Sequence, residues 1–272
     1  MMLQADLVKE CQDLRFLEWS KIRHSSGTAG SFLKARQTVP GKTLYYKLSC
    51  YDSVHGIVGH ECVNELLVDR LLGILGVPHL RYCLMRALVC VEEKEMETFL
   101  CVSENFREPG ESKVALDDFY DLEKESGETI EAFFERMGWT DYLYTTLVVD
   151  YLILNRDRHG ANIEILRNRE TGRVRLAPLF DHGISFLHQC RTQEEAQAFD
   201  PLADVPVQCF FGSRSATENL KMIPPGKKPA LRRPEDRDRG LLFAGLEDVL
   251  PDAFLNKIWE MITARWRFYE SL

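Results

Sequence analysis

No apolar run in the 272 residues reaches the roughly 18 that a membrane-spanning helix takes. The start mixes Asp6, Lys9, Glu10 and Asp13 with apolar residues. It lacks the basic end, apolar centre and small-residue cleavage site of a secretory leader. The cytoplasm is therefore the expected compartment. None of the eight cysteines forms a C-x-x-C pair and most sit in apolar runs, so reduced, mostly buried thiols are expected. Positive charge is also short: 34 Lys and Arg against 42 Asp and Glu leave a formal charge of −8. That argues against a non-specific grip on nucleic acid, which needs a basic face. There is no internal repeat, no low-complexity linker, and no Gly-Lys-Ser/Thr to close a Walker loop.

What is present suits a two-lobed enzyme. Hydrophobic residues make up 45% and charged residues 28%, enough for a full core under a solvated surface. Residues 20–106 read as mixed strand and helix. Tyr45-Tyr46-Lys47-Leu48 is a β-type run after the turn Pro40-Gly41. Glu61–Leu75 reads as a helix, with Val63, Leu67, Leu71, Ile74 and Leu75 near one face. Gly76 and Pro78 stop it. Two apolar runs follow, 82–91 and 98–102, with residues 92–97 as their hairpin connection. From about Asp117 the pattern turns helical. Candidate helices cover 129–137 and 141–154, the second capped by Thr140. Phe254, Ile258, Trp259, Ile262, Trp266 and Tyr269 mark an amphipathic terminal helix that packs on the core. Residues 200–240 are irregular and rich in Pro, Gly and charge, either a solvated loop or a lid.

The chemistry concentrates in Asn155-Arg156-Asp157-Arg158-His159-Gly160-Ala161-Asn162, followed by Leu179-Phe180-Asp181-His182-Gly183. Residues 163–168 and 173–178 read as two short strands, joined where Gly172 can take a positive φ. The open end of that hairpin brings the Asn162 amide and the Asp181 carboxylate together, both hard oxygen donors of the kind Mg²⁺ prefers. Asp157, on the loop leaving an apolar helix, can accept the proton of an attacking hydroxyl. A base and two metal ligands in that order suit phosphoryl transfer. Read singly, each of the three acts as an ordinary turn or cap residue. His159 is expected to hold the loop by hydrogen bonds. His182, His188 and Cys190 match no zinc spacing. Lys47 is alone in an apolar run, where an unpaired ammonium is costly. It either snorkels from a strand edge or pairs with Glu61 or Glu65 on the helix that follows. Ser25-Ser26-Gly27-Thr28-Ala29-Gly30-Ser31 is a small-residue segment whose N–H groups can cover phosphates.

These runs resemble the HipA-like serine/threonine kinases, the toxin kinases of bacterial toxin–antitoxin systems and their relatives. The resemblance spans about residues 25–186. It includes Asn64-Glu65-Leu66-Leu67 as the helix after the ATP lysine and Ser103-Glu104-Asn105-Phe106 as the adenine hinge. It implies an α+β, two-lobed protein-kinase-like fold, with residues 1–106 as the N-lobe and 107–272 as a helical C-lobe. It implies ATP and Mg²⁺ as cofactors and Asp157 as the catalytic aspartate. Asn162 and Asp181 would be metal ligands, and Lys47 would hold phosphates with Glu65 as its partner. Glu104 and Phe106 would serve as hinge contacts. Gly27 and Gly30 fall in the phosphate loop, where Ser25, Ser26, Thr28 and Ser31 become autophosphorylation candidates. A protein substrate and an antitoxin or regulatory partner go with the family. The chain is shorter than full-length HipA toxins, which weakens the antitoxin expectation. The Asp-Arg-His-x-x-Asn string also resembles phosphoinositide kinases, so a lipid or small-molecule kinase, or a silent nucleotide-binding module, stands as the alternative.

Overall fold

In the computed structural model, which describes residues 5–20 and 32–272, the first half is built on a five-stranded sheet. β1 (Leu7–Asp13), β2 (Lys34–Val39) and β3 (Lys42–Leu48) precede a small ladder of β4 (Tyr51–Asp52) and β5 (Gly56–Ile57). Helix α1 (Glu61–Leu75) follows, then β6 (Tyr82–Val91) and β7 (Lys94–Glu104). The spatial order is β1-β6-β7-β3-β2. Pro40-Gly41 turns β2 into β3: proline presets the first turn position and Gly41, at φ 83°, takes the positive φ of the second.

Two expectations change here. β1 lies in a stretch read only as a mixed start; it runs parallel to β6, and its alternation is too weak to announce a strand. The β6–β7 connection is also shorter than 92–97. Only Glu92 and Glu93 turn, both left-handed at φ 50° and 63°, and the pairing reaches Val91↔Lys94. Charged residues at 94–97 masked the strand, because β7 is exposed at that end.

The second half adds β8 (Glu111–Ala115), α2 (Leu116–Glu123), α3 (Ile130–Arg136) and α4 (Thr140–Ile153). Next come β9 (Asp157–Arg158), a 3₁₀ turn at Gly160–Asn162, β10 (Glu164–Asn168) and β11 (Val174–Leu176). α5 (Gln193–Ala198), β12 (Gln208–Cys209), α6 (Ala216–Lys221), α7 (Asp238–Phe243) and α8 (Asp252–Ser271) complete it. β10–β11 is the expected hairpin, closed by Gly172 at φ 71°. β8 joins its other edge, which no local pattern indicated. Thr129 caps α3 by accepting from Ala132 N, whereas Thr140 is already inside α4 and Trp139 holds the cap position without a side-chain bond. Short helices α6 and α7 interrupt the segment read as irregular.

Most side chains of α1 are buried, and its polar ones are placed accordingly. Glu61, Glu65 and Asp69 recur at i, i+4, i+8 and so share a face. Glu61 accepts from Cys50 N, Glu65 meets Lys47, and Asp69 accepts from Tyr82 N. The opposite face, with Leu67 and Leu71 fully buried, joins α4 and α8 in one core. α1 is thus a plate between the sheet and the helical lobe.

Candidate functional site

A cavity of about 540 Å³ opens between the sheet and the β10–β11 hairpin. Lys47, Glu104, Asp157, Asn162 and Asp181 all line it. Lys47 projects from β3, with its Nζ 2.9 Å from Glu65 Oε1 and 2.5 Å from Asp181 Oδ1. It also lies 4.5 Å from the centroid of the Phe32 ring. Burial alone would strip its charge, but the carboxylates of Asp181 and Glu65 outweigh that and hold the ammonium well above its ordinary pKa. Glu65 is raised, chiefly by burial, with Lys47 opposing. Its other oxygen accepts from His182 N at 2.8 Å, so one carboxylate ties β3, α1 and the Asp181 segment together. Glu61, the other candidate partner, is committed to Cys50.

Asp181 sits in the left-handed region at φ 59°. Leu154 and Phe186, at φ 51° each, flank the same loops. Backbone held this way is found where the surroundings over-determine it, often at functional sites. Here Asn155 N bonds Asp150 O at 2.9 Å and Phe186 N bonds Ile153 O at 2.7 Å. Burial pushes the Asp181 carboxyl up, yet Lys47 and then Lys34 more than reverse it and leave it well below the usual carboxylate range. Asp157 goes the other way. Burial raises it, His159 opposes, and the charge of Asp181 adds to the rise. Two carboxylates on one cleft are thereby set apart, one firmly ionised and one more basic than usual.

The loop 155–162 is braced by a residue that the sequence reading passed over. Arg158 is buried and forks onto Asp150, Nε to Oδ2 and Nη2 to Oδ1, both at 2.9 Å. Its Nη1 reaches Asn162 O at 3.1 Å and Phe180 O at 3.2 Å. One guanidinium thus fixes both ends that carry Asn162 and Asp181. Asn155 adds a bond to Asp150 Oδ1 at 2.9 Å. Asn162 donates to Asp157 O at 2.7 Å, with its amide nitrogen 3.4 Å from Asp157 Oδ2. His159, expected to hold the loop, stands 3.6 Å from Asp157 Oδ1 and lines the cavity instead. Gly160 lets the loop lie against α2, since a Cβ there would come within 2.7 Å of Asp117 Cβ. The readable signal for the brace was Asp150, a lone charge in the apolar run Leu147–Leu154.

No protein-family model matches the sequence, and no curated protein does. Among solved structures, the proinflammatory kinase CtkA of Helicobacter pylori aligns with a TM-score of 0.57 at 14% identity, over 94% of this chain and 94% of that one. The fold is two-lobed and kinase-like. HipA of Shewanella oneidensis MR-1, solved with HipB and operator DNA, aligns at 16% identity over 93% of this chain and 66% of its own, and its TM-score of 0.41 is too low to argue from.

Of the remaining residues singled out in the sequence, Glu104 lies in the β3–β7 ladder opposite Leu44, with its carboxylate 2.5 Å from Lys42 Nζ. Phe106 packs on Phe180 at 5.7 Å between ring centroids. Ser25, Ser26, Gly27, Thr28, Gly30 and Ser31 lie outside the described residues. Asn64, not singled out, donates to Gly183 O and Ser185 O at 3.0 Å each, binding α1 to the segment after Asp181.

The seam between α1 and that segment also carries His60 and His188. Burial, with Arg191 adding, holds His60 at about 4. Burial, with Arg156 and then His60 adding, holds His188 at about 4. In the unfolded chain each protonates near 6.5. Between those values the unfolded state binds more protons, so stability falls as pH drops, by at most about 1.4 kcal/mol per pH unit for each histidine. Glu65 and Asp157, both raised by burial, act in the opposite sense. The thermal midpoint of His188→Phe is therefore expected to fall less between pH 6.5 and 4 than that of the unaltered chain. Identical profiles would exclude the histidine contribution.

Proposed function

We propose that the chain is an ATP- and Mg²⁺-dependent phosphotransferase, a serine/threonine protein kinase of HipA-like type. The observation that supports this most directly is the buried ammonium of Lys47, held between Glu65 and Asp181 on a cleft that Asp157 and Asn162 also line. In this reading residues 1–106 grip the nucleotide and 107–272 carry the chemistry. Lys47 binds the donor's phosphates, with Glu65 fixing its direction. The hinge at Glu104 and Phe106 meets the base.

The donor set fits a hard divalent ion. Asp181 is ionised, and Asn162 commits its amide nitrogen to Asp157 O, which leaves the amide oxygen as its donor atom. Among the described residues no three His, Cys, Asp or Glu side chains converge as a self-sufficient cage, so water and substrate phosphates would supply the other ligands. When bound, Mg²⁺ neutralises charge on the phosphates. Asp157 orients the acceptor hydroxyl and takes its proton as the oxygen attacks the γ-phosphorus and the bond to the ADP oxygen breaks. The acceptor is a serine or threonine hydroxyl of a protein; Ser25, Ser26, Thr28 and Ser31 are the candidates within this chain.

Purified chain incubated with γ-labelled ATP and Mg²⁺ is expected to label itself or an added protein, with the label lost on chelation and in Asp181→Ala. Mass spectrometry then locates the phosphate. Full labelling by Asp181→Ala would sink the reading.

A further inference from the structure

Glu164 is charged, buried and only half used. It lies on β10, two residues beyond Asn162, and both line the same cavity. Asn162 ends the 3₁₀ turn and Glu164 opens β10; both face the cavity, while Ile163 and Ile165 turn into the core behind. Glu164 is 8% exposed. Its Oε1 accepts from Lys113 Nζ at 2.6 Å. Its Oε2 is buried and has no hydrogen-bond partner among the described residues. A buried carboxylate oxygen left without a donor is destabilising and rare. Lys113, itself largely exposed, pairs with Oε1 and does not reach the second oxygen.

Its position says which part of a ligand it meets. Ile163 between them is extended, so at about 3.3 Å per residue Glu164 stands about 7 Å along from Asn162. Asn162 belongs to the phosphate end of the cleft. Glu104 and Phe106 line the same cavity, and Arg175, paired with Leu166 further along β10, reaches Phe106 O at 3.4 Å. A donor laid from one to the other passes its sugar and base over Glu164.

We propose that Glu164 is a specificity-determining residue for the phosphate donor, its Oε2 accepting an N–H or O–H from the nucleoside half. This deepens the kinase reading above and rests on it. The chemistry is a single charge-assisted acceptor; the donor is either an amino group of the base or a hydroxyl of the ribose.

Calorimetry on the intact chain with Mg²⁺ separates these. The ligands are ATP, purine riboside triphosphate, which lacks the 6-amino group, and the 2′-deoxy and 3′-deoxy forms of ATP. One class is expected to bind the unaltered chain tenfold to a hundredfold more weakly than ATP, and Glu164→Leu and Glu164→Gln should shrink that ratio towards one. Weak binding of the purine riboside assigns the base; weak binding of a deoxy form assigns the ribose. All four binding the unaltered chain within about twofold would overturn the proposal. So would variants that keep the original ratios. In both cases ATP still binds and the kinase reading stands, whereas no binding of any nucleotide to the unaltered chain removes both.

Discussion

Asp157→Asn is expected to lower the phosphoryl-transfer rate by about a thousandfold, the scale of a lost general base. ATP affinity should stay within a few fold, because Lys47, Asn162 and Asp181 remain. The substitution keeps the side chain's size and its place between Asn162 and His159 while removing the acceptor for the hydroxyl's proton. Single-turnover rates alongside equilibrium binding of ATP separate the two quantities. A variant that retains more than about a tenth of the parent rate would remove Asp157 from this role. Since burial raises its pKa, the acid limb of the rate profile should lie above that of a free aspartate.

Asp150→Ala is expected to cost about 3–5 kcal/mol of folding stability, because it strands the Arg158 guanidinium in the core. Arg158 has a side-chain exposure of 1%, and its fork onto Asp150 also holds Asn162 and Phe180. A buried pair replaced as a unit behaves differently from one that is broken. Asp150→Leu combined with Arg158→Met should therefore regain much of the stability and still lose phosphoryl transfer, since nothing then fixes the loop. Urea unfolding of both singles and the double decides the point. Additive losses in the double would show that the two residues do not act as a pair.

Local pattern carried a good part of this protein. The span of α1 follows from its apolar spacing and the Gly76 stop, and the β10–β11 hairpin from two short runs around Gly172. Lys47 could be picked out because an ammonium in an apolar run lacks a local partner, and Asp157, Asn162 and Asp181 because they stand in that order around a hairpin, although each alone reads as a turn or cap residue. Parallel pairing of β1 with β6, and the β8 edge added to the hairpin, were not legible. Those partners are 77 residues apart at Leu7↔Leu84 and 57 apart at Glu111↔Asn168, distances at which no periodicity reports contact.

The sequence by itself determined which residue types stand where: a lysine in an apolar strand, acids four apart on one helix, and a loop of carboxylate, amide and carboxylate. The tertiary structure alone decided their partners. Glu65 rather than Glu61 meets Lys47, since α1 enters with Glu61 turned to Cys50. Arg158 rather than His159 braces the loop, since α4 delivers Asp150 to it. Spacing encodes which face a side chain occupies, whereas a charge at 2.9 Å depends on how separate elements pack, and burial then sets what that charge is worth.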